Sequence, residues 1–165
     1  MINDLVLEKA KQIQLLILDV DGVLTDGKIW LLPDGDETKC FHIQDGLGIT
    51  HIQKAGIQVA VISGRNSKIV QRRMHELNVA HVFQGVDDKL PVFQTLLKKL
   101  NITAKQAAYV GDDFPDIPIL KKVGLSIAVN NAVNDVKHLC DWHTHKSGGE
   151  GAVREVCDLL LKVRQ

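Results

Sequence analysis

A chain of 165 residues, 45% of them hydrophobic, is long enough to bury one sizeable core and too short for two ordinary domains, so residues 1–165 are expected to form one domain. Its 20 basic and 20 acidic residues cancel, which leaves no positive field to hold nucleic acid or an anionic membrane surface. The partner expected is a small molecule or another copy of the same chain.

Residues 1–14 carry acids and no continuous apolar run, and read as a short amphipathic helix rather than a signal peptide or a membrane span. Apolar runs at 15–18, 59–62, 80–83, 107–110 and 125–129 read as buried strands. Helical periodicity falls between them, at 45–54, 67–77, 89–100, 115–122 and 131–138, with a last helix at 153–163. Strand alternating with helix predicts an α/β fold: a three-layer, Rossmann-like parallel sheet covered on both faces. One stretch departs from this, because residues 28–32 and 37–42 flank the turn signal Pro33-Asp34-Gly35-Asp36 and predict a β-hairpin flap. No gap between core strands is long enough for a separate cap domain, so the hairpin or a neighbouring subunit is expected to cover the site. Cys40, Cys140 and Cys157 are far apart, which argues against a disulfide framework or a thiolate zinc site and fits a reducing cytoplasm.

In an open parallel sheet, ligands bind beyond the carboxyl ends of the strands, and four such endings carry unusual chemistry. The first places Asp19 and Asp21 two residues apart, on one side of an extended chain. One carboxylate of such a pair can attack phosphorus while the other moves a proton, so Asp19 is assigned as nucleophile and Asp21 as general acid and base. The second, Ser63-Gly64-Arg65, offers a hydroxyl and main-chain amides for phosphate oxygens near a helix start. The third is Lys89, an ammonium able to neutralise phosphate and orient the attacking carboxylate.

The fourth gathers Asp112, Asp113 and Asp116 in one loop. Hard oxygen donors of this kind suit Mg²⁺, with Asp19, Asp112 and the main-chain carbonyl of Asp21 as expected ligands and Asp113 and Asp116 as orienting residues. Gly148, Gly149 and Gly151, with Arg154, form a further candidate anion contact, since glycines expose amides and arginine binds carboxylates as a fork. His143 and His145 share a face of a short extended stretch but lack a third ligand nearby, which argues against a metal site.

These motifs, Asp-x-Asp-Gly-Val-Leu-Thr, Ser-Gly-Arg, a lysine and Gly-Asp-Asp-x-x-Asp, resemble those of the haloacid dehalogenase superfamily over nearly the whole chain. The segments DVDGVLTDG, DGLGI, QGVDDK, YVGDD and GGEGAVREVCDLLL are similar to a capless branch of it. The resemblance implies phosphomonoester hydrolysis through an aspartyl-phosphate with Mg²⁺. The substrate it implies is 3-deoxy-D-manno-octulosonate 8-phosphate, of lipopolysaccharide inner-core synthesis, with a sialic-acid-type 9-phosphate as the alternative within the branch. It further implies a homotetramer joined through the hairpins, with Asp19, Asp21, Ser63, Lys89, Asp112 and Asp116 as the catalytic and metal set. Arg65 is then a candidate contact for the sugar acid or phosphate, and Thr25 a residue facing substrate. Related chains carry a tail that reaches a neighbour's site; this sequence stops at Gln165, so no such help is expected. Two non-hydrolytic readings stay open, a phosphoaspartate receiver, against which Asp21 argues, and a silent regulatory module, against which the intact acid set argues.

Overall fold

Four consecutive apolar residues, Leu15–Leu18, form β1, and all four are completely buried, as a strand covered on both faces requires. The computed structural model describes residues 2–164. Around β1 the chain lays down α1 (Asp4–Lys11), β2 (Trp30–Leu31), β3 (Glu37–Thr38), α2 (Ile43–Lys54), β4 (Gln58–Ile62), α3 (Lys68–Glu76), β5 (His81–Phe83) and α4 (Lys89–Leu100). There follow β6 (Ala107–Gly111), α5 (Ile117–Leu120), β7 (Leu125–Ala128), α6 (Asn134–Leu139), β8 (Trp142–His143) and α7 (Ala152–Lys162).

Six strands form one sheet in the order β5-β4-β1-β6-β7-β8, every pair parallel, with β2 and β3 as a separate antiparallel hairpin. This is the expected α/β architecture, with β8 as a sixth strand too short to show as an apolar run. The chain builds outward from β1 through β4 to β5, then returns to pair β6 with the other side of β1. That reversal creates a crevice between the carboxyl ends of β1 and β6, the place where such sheets bind ligands.

Local sequence sets the helix ends. Asn3 accepts a hydrogen bond from the Val6 amide and starts α1, and Asp88 does the same for Leu90 at the start of α4. Asn101, with φ of 54°, closes α4 in the left-handed conformation. The helix expected at 115–122 is broken into a 3-10 turn, Phe114–Asp116, followed by α5, because Pro115 and Pro118 each lack an amide donor. Likewise α6 starts at Asn134 rather than 131, since residues 130–133 form a turn that has another use, described below. The hairpin pairs only two residues on each arm, Trp30 with Thr38 and Leu31 with Glu37, and so is shorter than expected. Among the described residues no helix is long and apolar enough to cross a membrane.

Candidate active site

Asp19 leaves the end of β1 with its amide still bonded to the Val110 carbonyl of β6, so the sheet itself fixes its backbone. From there the chain turns sharply: the amides of Val23, Leu24 and Thr25 all point at the carbonyl of Val20. Gly22 makes this possible, with φ of +89° and no room for a Cβ, which would lie 2.1 Å from Oδ2 of Asp112. The turn therefore brings the β1 and β6 endings into direct contact.

The residues expected to act together meet in one cleft lined by Asp19, Asp21, Ser63, Gly64, Arg65, Lys89, Asp112 and Asp113. Lys89 is 4% exposed and lies 3.0 Å from Oδ2 of Asp19 and 2.8 Å from Oδ1 of Asp116. Oδ1 of Asp19 accepts the Val20 amide at 2.7 Å. Asp116 is fully buried and saturated: Oδ1 accepts from Lys89 and from the Tyr109 hydroxyl at 2.6 Å, and Oδ2 from the amides of Asp112 and Asp113. It is thus the post around which the lysine and the acidic loop are arranged. Asp113 caps the 3-10 turn by accepting from Phe114, and the Ser63 hydroxyl accepts from the Arg65 amide while remaining on the cleft wall.

Burial and the crowding of carboxylates dominate the electrostatics. Burial, then the nearby Asp116, raises Asp19 to about 6 despite the opposing Lys89 ammonium and Val20 amide. Burial followed by Asp19, Asp116 and Asp113 pushes Asp112 to about 8. Burial pulls Lys89 down, but Asp19 and Asp116 outweigh it, so its pKa is raised and it stays an ammonium. Oxygens of Asp19, Asp112 and Asp116 lie within 4.8 Å of one another, a set of hard donors that one lysine leaves under-neutralised. With Asp116 spent on its hydrogen bonds, Asp19 and Asp112 remain as hard donors that fit a divalent cation of the Mg²⁺ type.

Three expectations are corrected. Thr25 does not face the cleft: it is fully buried, and its hydroxyl accepts from the amides of Gly22 and Gly27 and donates to the Val20 carbonyl, so it braces the turn. Arg154 is not brought to the cleft: its Nε bonds Asp158 at 2.7 Å, its alkyl chain lies against Gly48 of α2, and its amide caps onto Asp45. The amides of Gly148 and Gly149 are not available to an anion, because they donate to Asn131 and to the Val23 carbonyl. Instead this glycine loop buttresses the turn after β1, and a Cβ on Gly148 would fall 1.8 Å from the Gly22 carbonyl oxygen. Asn131 completes the brace by donating to that same carbonyl at 3.1 Å. His143 and His145 are both exposed and stand in no cluster of metal-ligating residues among those described.

Two participants escaped the sequence reading. Tyr109 sits in the middle of a buried strand, and a buried hydroxyl demands a polar partner, so it was a findable signal. Lys39 gave none, since a lysine just after a hairpin is ordinarily solvated; here its side chain is completely buried, 2.6 Å from Asp21 and 3.3 Å from Glu37.

The comparisons agree with this geometry. A family model described as haloacid dehalogenase-like hydrolase matches residues 81–156. The 3-deoxy-D-manno-octulosonate 8-phosphate phosphatase KdsC of Salmonella typhi is 50% identical over 156 residues, 94% of this chain and 83% of the relative. The crystal structure of the Moraxella catarrhalis phosphatase of that name, in complex with magnesium ion, phosphate ion and KDO, superposes with a TM-score of 0.94 at 46% identity, covering 96% of this chain and 91% of the other. The Yersinia pestis structure gives 0.97 at 42% identity, covering 99% and 88%. An all-parallel sheet with its acids at the β1–β6 switch point, and half of its residues shared along nearly its whole length, place this chain in the 3-deoxy-D-manno-octulosonate 8-phosphate phosphatase family of haloacid dehalogenase-like hydrolases.

Proposed function

We propose that this chain is a Mg²⁺-dependent phosphatase that converts 3-deoxy-D-manno-octulosonate 8-phosphate to the free sugar acid and phosphate, in lipopolysaccharide biosynthesis. The observation that carries the reading is the pairing of Asp19 with the buried ammonium of Lys89, 3.0 Å away, beside Asp112. Asp19 attacks phosphorus, the bond from phosphorus to the sugar oxygen breaks, and Asp21 gives its proton to that departing oxygen. Asp21 then takes a proton from water, whose oxygen attacks the aspartyl-phosphate and frees both phosphate and Asp19. Lys89, the Ser63 hydroxyl and the Gly64 amide face the phosphoryl oxygens, and Arg65 stands where a sugar carboxylate or phosphate would enter.

Asp19, Asp112 and the main-chain carbonyl of Asp21 would hold Mg²⁺, with Asp113 and Asp116 ordering its surroundings; the ion supplies positive charge for the phosphoryl group. We read the molecule as one domain, working in the cytoplasm as a homotetramer. Trp30 and Leu31 on the hairpin are 67% and 80% exposed and Ile43 beside it is 82% exposed, apolar surface that supports self-association. The test is phosphate release from 3-deoxy-D-manno-octulosonate 8-phosphate with and without Mg²⁺, beside a sialic acid 9-phosphate and simple sugar phosphates. Strong metal-dependent preference for the first is expected, and equal weak rates on all of them would overturn the substrate assignment.

A further inference from the structure

Among the described residues one other lysine is buried outside the cluster around Lys89. The Lys39 side chain has no exposed surface, although it follows a two-stranded hairpin whose own residues Trp30 and Leu31 stand in solvent. Burying an ammonium is costly unless anions receive it, and Asp21 at 2.6 Å and Glu37 at 3.3 Å do so. Glu37 is in turn held by Arg65 at 2.6 Å, and the Arg65 Nε lies 3.9 Å from the second oxygen of Asp21. Burial pushes the Glu37 carboxyl up, yet the Arg65 hydrogen bond and the Lys39 ammonium outweigh it and bring it down to about 2. Four charges thus close a ring, Asp21–Lys39–Glu37–Arg65, that ties the hairpin to the endings of β1 and β4.

We propose that Lys39 is a positioning residue for Asp21: delivered by the hairpin, it fixes the direction of the carboxylate that exchanges a proton with the leaving oxygen. The inference rests on the role given to Asp21 above. Among the described residues Asp21 has no other side-chain tether within hydrogen-bonding distance, whereas Asp19 and Asp116 are each held by several groups. The hairpin therefore acts on the reaction through Lys39. A carboxylate set free of its tether samples other rotamers and meets the leaving oxygen less often, so release of the leaving group slows most for substrates that need it protonated, whereas the later water step slows equally for all of them.

The experiment compares Mg²⁺-loaded parent, Lys39→Met, Lys39→Arg and Asp21→Asn on two phosphomonoesters, the sugar acid phosphate with its basic alkoxide and 4-nitrophenyl phosphate with a leaving group stable as an anion. In single-turnover reactions Lys39→Met is expected to slow release of the leaving group by about 10- to 100-fold for the sugar phosphate and by less than about threefold for the aryl phosphate. Lys39→Arg keeps the cation and is expected to keep the parent's ratio between the two substrates. In the Asp21→Asn background Lys39→Met should add nothing. Equal losses on both substrates by both Lys39 variants, or a full further loss in the Asp21→Asn background, would overturn the proposal and make Lys39 a packing or substrate contact. If Asp21→Asn alone leaves the ratio between substrates unchanged, it is the acid role of Asp21 that fails.

Discussion

Lys89→Met removes the single ammonium that faces three clustered carboxylates while preserving much of the side chain's length and volume. In the parent that ammonium, 4% exposed, sits 3.0 Å from Asp19, 2.8 Å from Asp116 and 3.3 Å from the Tyr109 hydroxyl. Breaking a buried pair leaves uncompensated charge at a cost of about 3–5 kcal/mol, and two pairs break here, so a metal-free loss in the upper half of that range is expected at pH 8. The loss should shrink at lower pH. Asp112 titrates at about 8 in the folded protein against an ordinary 3.8, so the unfolded chain gives up that proton first and stability contributed by the protonated form falls as pH rises from about 4 to about 8. Asp19, at about 6, adds the same trend over a narrower window. Lys89 itself has a raised pKa and stays charged throughout, so the slope belongs to the acids. Urea unfolding of both proteins at pH 5.5 and pH 8, in EDTA and then in Mg²⁺, reads these differences. A metal-free loss below about 1 kcal/mol at pH 8, or a loss that grows on acidification, would refute the account of the site as an under-neutralised acid cluster.

Asp112→Asn relieves the same crowding, so the metal-free variant should be more stable than the parent at pH 8 yet gain nothing from added Mg²⁺, as thermal melts with and without the ion will show. Gly148→Ala drives a methyl group to within 1.8 Å of the Gly22 carbonyl oxygen; a stability loss of about 1–3 kcal/mol and a kcat reduction of about 100-fold are expected from displacement of the turn carrying Asp19 and Asp21, measured by denaturation and phosphate release. Thr25→Val deprives the Gly22 and Gly27 amides of their acceptor and should cost about 1–3 kcal/mol by the same denaturation assay, whereas Thr25→Ser keeps the hydroxyl and most of the stability. Asp19→Asn should reduce turnover by about 10⁴-fold or more without lowering the melting temperature, checked by burst kinetics and calorimetry.

Much of this molecule was legible in its sequence because its information is local. Apolar runs such as Leu15–Leu18 can only be strands covered on both faces, α4 carries its own cap in Asp88 and its own stop in Asn101, and acids placed directly after strands had to arrive at one edge of a parallel sheet. That is why Asp19, Ser63, Lys89 and Asp112 could be named together from spacing alone. What the sequence could not carry was which distant groups consume which hydrogen bonds. Thr25, Gly148 and Gly149 have the composition of anion contacts, but their hydroxyl and amides are spent on the turn after β1, a fact decided by partners as remote as Asn131. Arg154 lies in a segment rich in glycine yet turns to Asp158, one helical turn along α7. Lys39 looks like any surface lysine until the hairpin folds over Asp21 and removes it from water. Strand-end position is written in the order of residues; burial and pairing across the cleft are properties of the assembled layers, and they alone determine which charges must answer one another.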